Sequence, residues 1–208
     1  MNVPPSTLDN SRSPNIPSSQ RIASTPVIGT PRVEDGAAIW RIARDSRALD
    51  LNSSYSYLLW CRDFAATSLV ARDAGGEPIA FVTGYLRPES PRTLVVWQIA
   101  VDAAHRGRGL AGVLLDALTV KTADAHGVRA VETTVTPDNT ASDRLFTSYA
   151  ERHGAPLTRE VLFHGGLFPD GAHEPEVLYR IGPLTACRPA GPRASSAARP
   201  GWSTSPCP

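Results

Sequence analysis

A glycine-rich segment between the most apolar stretch of this chain and a long helical pattern constrains its fold more than any other feature. Residues 93–101, TLVVWQIAV, predict a buried strand, and apolar residues between Leu110 and Leu118 recur at helical spacing before a stop at Gly127. The intervening DAAHRGRG contains glycines that let backbone N–H groups converge on an anion at the start of the helix. The segment therefore predicts either a phosphate-binding loop or a tight turn that binds nothing.

The apolar patterns on both sides of this loop predict one α/β domain with a mixed sheet. Helices are expected at residues 37–45, 55–64, 110–126 and about 140–153, the last capped by Asn139 or Asp138. Strands are expected at residues 67–73, 78–85, 93–101, 128–135, 159–166 and 176–182. A glycine turn joins the first two strands into a hairpin, and a strand–helix–strand crossover follows it.

Proline is concentrated at the two ends of the chain, since twelve of the 19 prolines lie within residues 1–31 and 182–208. Both ends are also rich in Ser and lack an apolar period, so they cannot offset the entropy of ordering. We expect disordered tails at residues 1–26 and 183–208. The domain between them, residues 27–182, is long enough to bury one substantial core.

Charge and cysteine content exclude several classes of protein. The 21 basic and 20 acidic residues give a net charge of +1, which offers no general attraction to nucleic acid or to an anionic membrane. No apolar stretch approaches the roughly 20 residues that a membrane span requires, and no secretory signal is recognisable. Three cysteines without a CxxC pair can form neither a disulfide framework nor a four-ligand zinc site. A cytoplasmic protein without a bound metal is therefore expected.

The glycine loop fits two classes of ligand. Gly107, Gly109 and Gly112 satisfy the GxGxxG pattern of dinucleotide-binding proteins, and Glu132 follows 20 residues later. That fingerprint should open a series of βαβ units, whereas a hairpin precedes it here and little chain follows it. Glu132 also falls inside a strand pattern and not at its end. A dinucleotide-binding oxidoreductase, or a non-catalytic binding module, is kept only as a distant alternative.

The segment Arg106–Ala111 also matches the pattern RxxGxA, and Asn139 opens the helix that follows the next strand. In this context the chain resembles the Gcn5-related N-acetyltransferases (GNAT) over residues 27–182. The resemblance implies a mostly antiparallel sheet, splayed at its central strand and flanked by helices, with acetyl-CoA as co-substrate and backbone N–H groups of the central strand at the oxyanion. It implies these cofactor-binding residues: Ile99, Ala100, Val101, Arg106, Gly107, Arg108, Gly109, Leu110, Ala111 and Asn139.

Three blocks, LDLNSSYSYLL, VWQIAV and ETTVTPDN, resemble more closely the L-2,4-diaminobutyrate acetyltransferases of ectoine biosynthesis. General acetyltransferases need none of those side chains. The resemblance implies acetylation of the 4-amino group of L-2,4-diaminobutyrate by acetyl-CoA, the step before ring closure to the osmoprotectant ectoine. It also implies a homodimer. A GNAT acetyltransferase that acts on another small amine is the alternative.

A substrate with two ammonium groups and one carboxylate needs acidic and hydrogen-bonding partners. One short segment offers such a polar cluster, which could equally be a capped loop: Asp50, Asn52, Ser53, Tyr55 and Tyr57. The resemblance implies that five residues bind the substrate: Asp50, Tyr55, Trp97, Glu132 and Thr133. On the residues alone, Trp97 is as well explained by packing, and Glu132 by an ion pair with an arginine.

The expected reaction is direct attack of the neutral amine on the thioester, without an acyl-enzyme. Cys61 has no basic helper near it in sequence, and we expect it in a helical core. Glu132 is the first candidate for the general base, although it could hold the 2-ammonium instead, and Asp50 is the other candidate. Many GNAT enzymes carry a tyrosine acid seven residues after the helix-opening Asn, where this chain has Phe146. Tyr149, one turn further, is the candidate substitute.

Overall fold

The computed structural model describes residues 25–169 and 173–184, and every helix and strand expected there is present. The α-helices of this part of the chain are α1 (Gly36–Ser46), α2 (Ser54–Asp63), α3 (Leu110–His126) and α4 (Thr140–Arg152). Its strands are β1 (Val27–Gly29), β2 (Leu69–Arg72), β3 (Pro78–Arg87), β4 (Ser90–Val101), β5 (Ala130–Val135), β6 (Leu157–Phe163) and β7 (Glu176–Ile181). Strand β1 is an addition that the sequence pattern does not predict.

The strands form one sheet in the order β1-β2-β3-β4-β5-β7-β6. Within the described residues, β4 and β5 are the only parallel neighbours, and every other neighbouring pair is antiparallel. The prediction of a mixed, mostly antiparallel sheet is thus confirmed. A dinucleotide-binding fold needs a parallel sheet built from repeated βαβ units, so this topology contradicts the oxidoreductase alternative.

Helices cover both faces of the sheet and create two apolar cores. Leu114 of α3 and Phe146 of α4 belong to the larger core, which also contains β-strand residues such as Val131. On the opposite face, Ile39 of α1 and Cys61 of α2 belong to a smaller core that reaches the sheet at β3 and β4. The expectation that Cys61 lies in a helical core is confirmed.

The centre of the sheet opens because β4 bends away from β5. The register between β3 and β4 skips Trp97, which is therefore an extra residue on β4 and marks a β-bulge. The parallel pairing of β4 with β5 ends at Val95 and Glu132. Beyond this pair the two strands diverge and leave a wedge, so the sheet is splayed at its central strand as the GNAT resemblance implies.

The tails expected at residues 1–26 and 183–208 fall almost entirely outside the described residues. Leu184 is buried, and its N–H donates to the Arg129 carbonyl oxygen at 2.7 Å. The packed domain therefore continues at least to this residue. Among the described helices, none has the length and apolar character needed to cross a membrane.

Candidate active site

The loop between β4 and α3 contains two glycines in the left-handed region. Gly107 has a φ of 75°, and Gly109, which is the N-cap of α3, has a φ of 72°. A Cβ at either position would meet no neighbouring atom, so the positive φ, and not a lack of space, favours glycine. Backbone N–H groups in this conformation, at the start of a 17-residue helix, form a concavity that attracts an anion.

A groove of about 730 Å³ extends from this loop to β4 and α4, and we call it the glycine-loop groove. Nine of the ten residues assigned to acetyl-CoA line it: Ile99, Ala100, Val101, Arg106, Gly107, Gly109, Leu110, Ala111 and Asn139. The structure does not place the tenth, Arg108, in the lining. Arg144 and Arg152 of α4 do line the groove, although no motif marks them. Oriented N–H groups beside these arginines fit the diphosphate of coenzyme A.

A second cavity, of about 660 Å³, lies where β3, β4, β5 and β7 come together, and we call it the acidic cavity. Among the described residues that line it, the charged ones comprise five carboxylates and two cations, which leave a net formal charge of −3: Asp50, Glu89, Glu132, Glu160 and Glu176 against Arg87 and Arg180. A cavity of this charge attracts a cationic ligand.

Glu132 lies between two arginines in the acidic cavity. Its buried carboxylate accepts hydrogen bonds from Arg87 Nη1 at 3.0 and 3.2 Å and from Arg180 Nε at 2.8 Å. The arginine pairing considered from the sequence is therefore present. Both cations among the described lining residues of the cavity are therefore hydrogen-bonded to Glu132.

Asp50, His173 and Glu176 form a polar cluster at the edge of the same cavity. His173 Nε2 lies 3.2 Å from Asp50 Oδ2 and 3.9 Å from Glu176 Oε1, while its Nδ1 lies 2.5 Å from the Glu174 carbonyl oxygen. The Glu174 carbonyl and then Asp50 raise the pKa of His173 above its ordinary value. No sequence signal marks His173, because 123 residues separate it from Asp50 and it belongs to no motif.

The loop that carries Asp50 is fixed to β4 and α4. Gln98 Nε2 donates to the Asp50 carbonyl oxygen at 2.8 Å, and Gln98 Oε1 accepts from the buried Tyr57 hydroxyl at 3.0 Å. Asn139 Nδ2 donates to the Ala48 carbonyl oxygen at 3.3 Å, while its Oδ1 caps α4. Ala48 and Asn139 line both the groove and the acidic cavity. The two cavities therefore meet at this loop.

The other residues assigned to the substrate differ in their surroundings. Trp97 lines the acidic cavity and stacks on Trp60, with ring centroids 6.1 Å apart. Thr133 also lines it, but its hydroxyl donates to the Val96 carbonyl oxygen at 3.1 Å and so links β4 to β5. Tyr55 is 64% exposed on α2 and lines neither cavity. The structure does not bring Tyr55 to the site expected for it.

Residues considered for covalent or acid chemistry lie in the core. Cys61 is 3% exposed, and burial raises the pKa of its thiol to about 11, so the thiol is protonated at neutral pH. Phe146 and Tyr149 are also buried, and the Tyr149 hydroxyl donates to Thr119 of α3 at 2.9 Å. Tyr149 lines neither cavity, which excludes it as the acid for the leaving thiolate.

The splayed sheet and the glycine loop at the N-terminus of α3 define an acetyltransferase of the GNAT type. In agreement, residues 37–150 match the acetyltransferase (GNAT) family. The L-2,4-diaminobutyric acid acetyltransferase of Streptomyces anulatus is 74% identical over 157 residues, which cover 76% of this chain and 89% of that protein. The protein of the same name from Nocardia farcinica is 54% identical over 160 residues, covering 77% and 81%.

A solved structure gives the same result. The diaminobutyrate acetyltransferase EctA from Paenibacillus lautus, in complex with its substrate L-2,4-diaminobutyric acid and coenzyme A, matches this fold with a TM-score of 0.72. It is 42% identical in sequence, and the match covers 76% of this chain and 95% of that chain. The chain belongs to the L-2,4-diaminobutyric acid acetyltransferase family.

Proposed function

We propose that the protein transfers the acetyl group of acetyl-CoA to the 4-amino group of L-2,4-diaminobutyrate, a step of ectoine biosynthesis. The observation that carries the proposal is that an anion-binding groove and a cavity with a net formal charge of −3 meet at one loop. Diaminobutyrate has a net positive charge at neutral pH, so the acidic cavity is complementary to it. The nucleotide diphosphate of acetyl-CoA is equally complementary to the glycine-loop groove.

The reaction requires a neutral amine, and an alkyl ammonium with a pKa near 10 is only about 0.1% neutral at pH 7, a cost of roughly 4 kcal/mol. The substrate ammonium bridges Asp50 Oδ2 and the unprotonated Nε2 of neutral His173, whose Nδ1 proton is directed at the Glu174 carbonyl, and it transfers a proton to Nε2. Asp50 and Glu176 face Nε2 and stabilise the imidazolium that forms. We therefore assign proton transfer to the Asp50–His173 pair, and we assign Glu132 to binding of the 2-ammonium.

The neutral amine attacks the thioester directly in a ternary complex. The new C–N bond forms and the C–S bond breaks. The second proton that the attacking nitrogen loses goes through water to the departing thiolate, so coenzyme A leaves as the thiol. The Asp102 N–H donates to the Ile79 carbonyl oxygen next to β3, so alternation along β4 turns the N–H groups of Ile99 and Val101 away from β3, toward the wedge. These two N–H groups are the donors best placed for the oxyanion. The buried, protonated thiol of Cys61 takes no part.

We also propose that the protein acts in osmoprotection as a cytoplasmic homodimer. Strand β6 is at one end of the sheet order, and Val161, Leu162 and Phe163 on it are all more than 40% exposed. An exposed apolar edge strand favours pairing with a second chain, which supports self-association. Light scattering should give twice the mass of one chain, and a monomeric mass at micromolar concentration would contradict the proposal.

A thiol-release assay with acetyl-CoA and a panel of amines tests the proposed reaction. Diaminobutyrate should be the best substrate in a panel that also contains ornithine, lysine and 1,3-diaminopropane, and NMR should show acetylation at N4. Release with ornithine or lysine, but none with diaminobutyrate, would overturn the proposal in favour of another small amine.

A further inference from the structure

We infer that Arg87 binds the carboxylate of the amino-acid substrate and so selects the amine farthest from that carboxylate for acetylation. The inference rests on the proposed function and adds to it a residue that no motif marks. The acidic cavity has to bind one negative charge on a substrate that is otherwise cationic.

The acidic cavity offers few places for a carboxylate. Within the part of the chain that the structure describes, Arg87 and Arg180 are the only lining residues with a positive charge, and every other charged one is a carboxylate. His173 at its edge is already paired with Asp50. Like charges without a cation between them repel, so the substrate carboxylate must lie near one of the two arginines.

The two arginines differ in how closely a second carboxylate approaches them. Arg180 Nε donates to Glu132 at 2.8 Å, and its Nη1 lies 3.6 Å from Glu160, an ion pair without a hydrogen bond. Arg87 bonds to Glu132 through Nη1 alone, and its Nε lies 4.0 Å from Glu89, whose side chain is 81% exposed. A guanidinium group has five N–H donors in a planar fork. Arg87 can therefore donate to a second carboxylate and still hold Glu132.

The position of Arg87 would orient the substrate. Arg180 and Glu176 lie on the same face of β7, four residues and therefore about 13 Å apart. Arg180 shares Glu132 with Arg87, whereas Glu176 lies beside His173. The arginines thus mark one end of the cavity, and the cluster at the Asp50 loop marks the end that meets the groove. A carboxylate on Arg87 places the 2-ammonium beside Glu132 and directs the 4-amine toward His173 and the groove.

The test compares two substrates that share the distal amine but differ in the carboxylate, L-2,4-diaminobutyrate and 1,3-diaminopropane. Arg87→Gln should lower kcat/KM for diaminobutyrate by about tenfold to a hundredfold, mainly through KM, as expected for a lost charge-assisted contact. The value for diaminopropane should stay the same or rise. Arg92→Gln is the matched control, because Arg92 is an exposed arginine on β4 outside the cavity lining.

An equal loss with both substrates, or no loss with diaminobutyrate, would overturn the inference. The wild-type protein provides a second test that does not depend on how the variant folds: the primary amide of diaminobutyrate should be at least about tenfold poorer than the acid. Equal rates for acid and amide would also overturn it. A wild-type protein that acetylates diaminopropane but not diaminobutyrate would instead contradict the proposed function, so the two failures are distinguishable.

Discussion

The glycine-loop groove and the acidic cavity meet at one loop but are built in different ways. In the groove, positive-φ backbone at Gly107 and Gly109 leads into the N-terminus of α3, and arginines line the groove beside it. In the acidic cavity, side chains from four strands and two loops provide the charges. A site built from backbone N–H groups changes when the backbone conformation changes, whereas a site built from side chains changes when one side chain is replaced. Substitutions in the groove should therefore affect the kinetics with acetyl-CoA, and substitutions in the acidic cavity the kinetics with diaminobutyrate.

The largest difference between the effects on the two substrates is expected for His173→Gln. If His173 accepts the proton of the amine, kcat should fall by about 10² to 10⁴, the usual contribution of a general base, while the KM for acetyl-CoA stays unchanged. Steady-state kinetics with acetyl-CoA varied at saturating diaminobutyrate measures both. Glu132→Gln should act mainly on the KM for diaminobutyrate. A larger loss of kcat in Glu132→Gln than in His173→Gln would reverse the two assignments.

The pH dependence gives an independent check on the same pair. Because the Glu174 carbonyl and Asp50 raise the pKa of His173, the wild-type rate should fall as the pH drops through that raised pKa. Asp50→Asn removes the carboxylate, lowers the pKa of His173 and should move the acid limb of the profile to lower pH. Asp63→Asn, at an exposed ion pair on α2, is the control. An acid limb that does not move in Asp50→Asn would exclude His173 as the titrating base.

The same difference explains what the sequence predicts and what it does not. The glycine loop, the Asn139 cap and the periodic strands are local, so adjacent residues carry the signal, and the predicted elements are present in the structure. His173, Arg87 and Arg144 reach the site only through tertiary packing, and nothing near them in sequence marks them. Tyr55 shows the converse: a helical position next to Asp50 in sequence is directed away from the cavity because α2 turns it to solvent.

An intermediate effect is expected for Arg106→Ala in the groove. Arg106 lines the groove, with its Nε bonded to the Val101 carbonyl oxygen at 3.1 Å, whereas Arg108 two residues later is outside the lining. Loss of a cation that contacts phosphate costs about 1.5–3 kcal/mol, so the KM for acetyl-CoA should rise about tenfold to a hundredfold. The KM for diaminobutyrate should not change. Arg108→Ala is the matched control, and an equal rise there would show that only the overall charge of the loop matters.

The smallest effect, and the one that isolates backbone conformation, is expected for Gly109→Ala. Its φ of 72° is unfavourable for alanine, although the new Cβ would meet no atom, so the strain costs about 1 kcal/mol. Unfolding in denaturant should show this loss, and relaxation of the loop should raise the KM for acetyl-CoA several-fold. Gly112→Ala lies inside α3, where the new Cβ would be 3.7 Å from Arg152 Nη2, an ordinary contact. Because alanine favours a helix over glycine, Gly112→Ala should be neutral or slightly stabilising. If both variants lost acetyl-CoA affinity equally, the groove would be sensitive to added volume, and the positive φ at Gly109 would not explain the anion site.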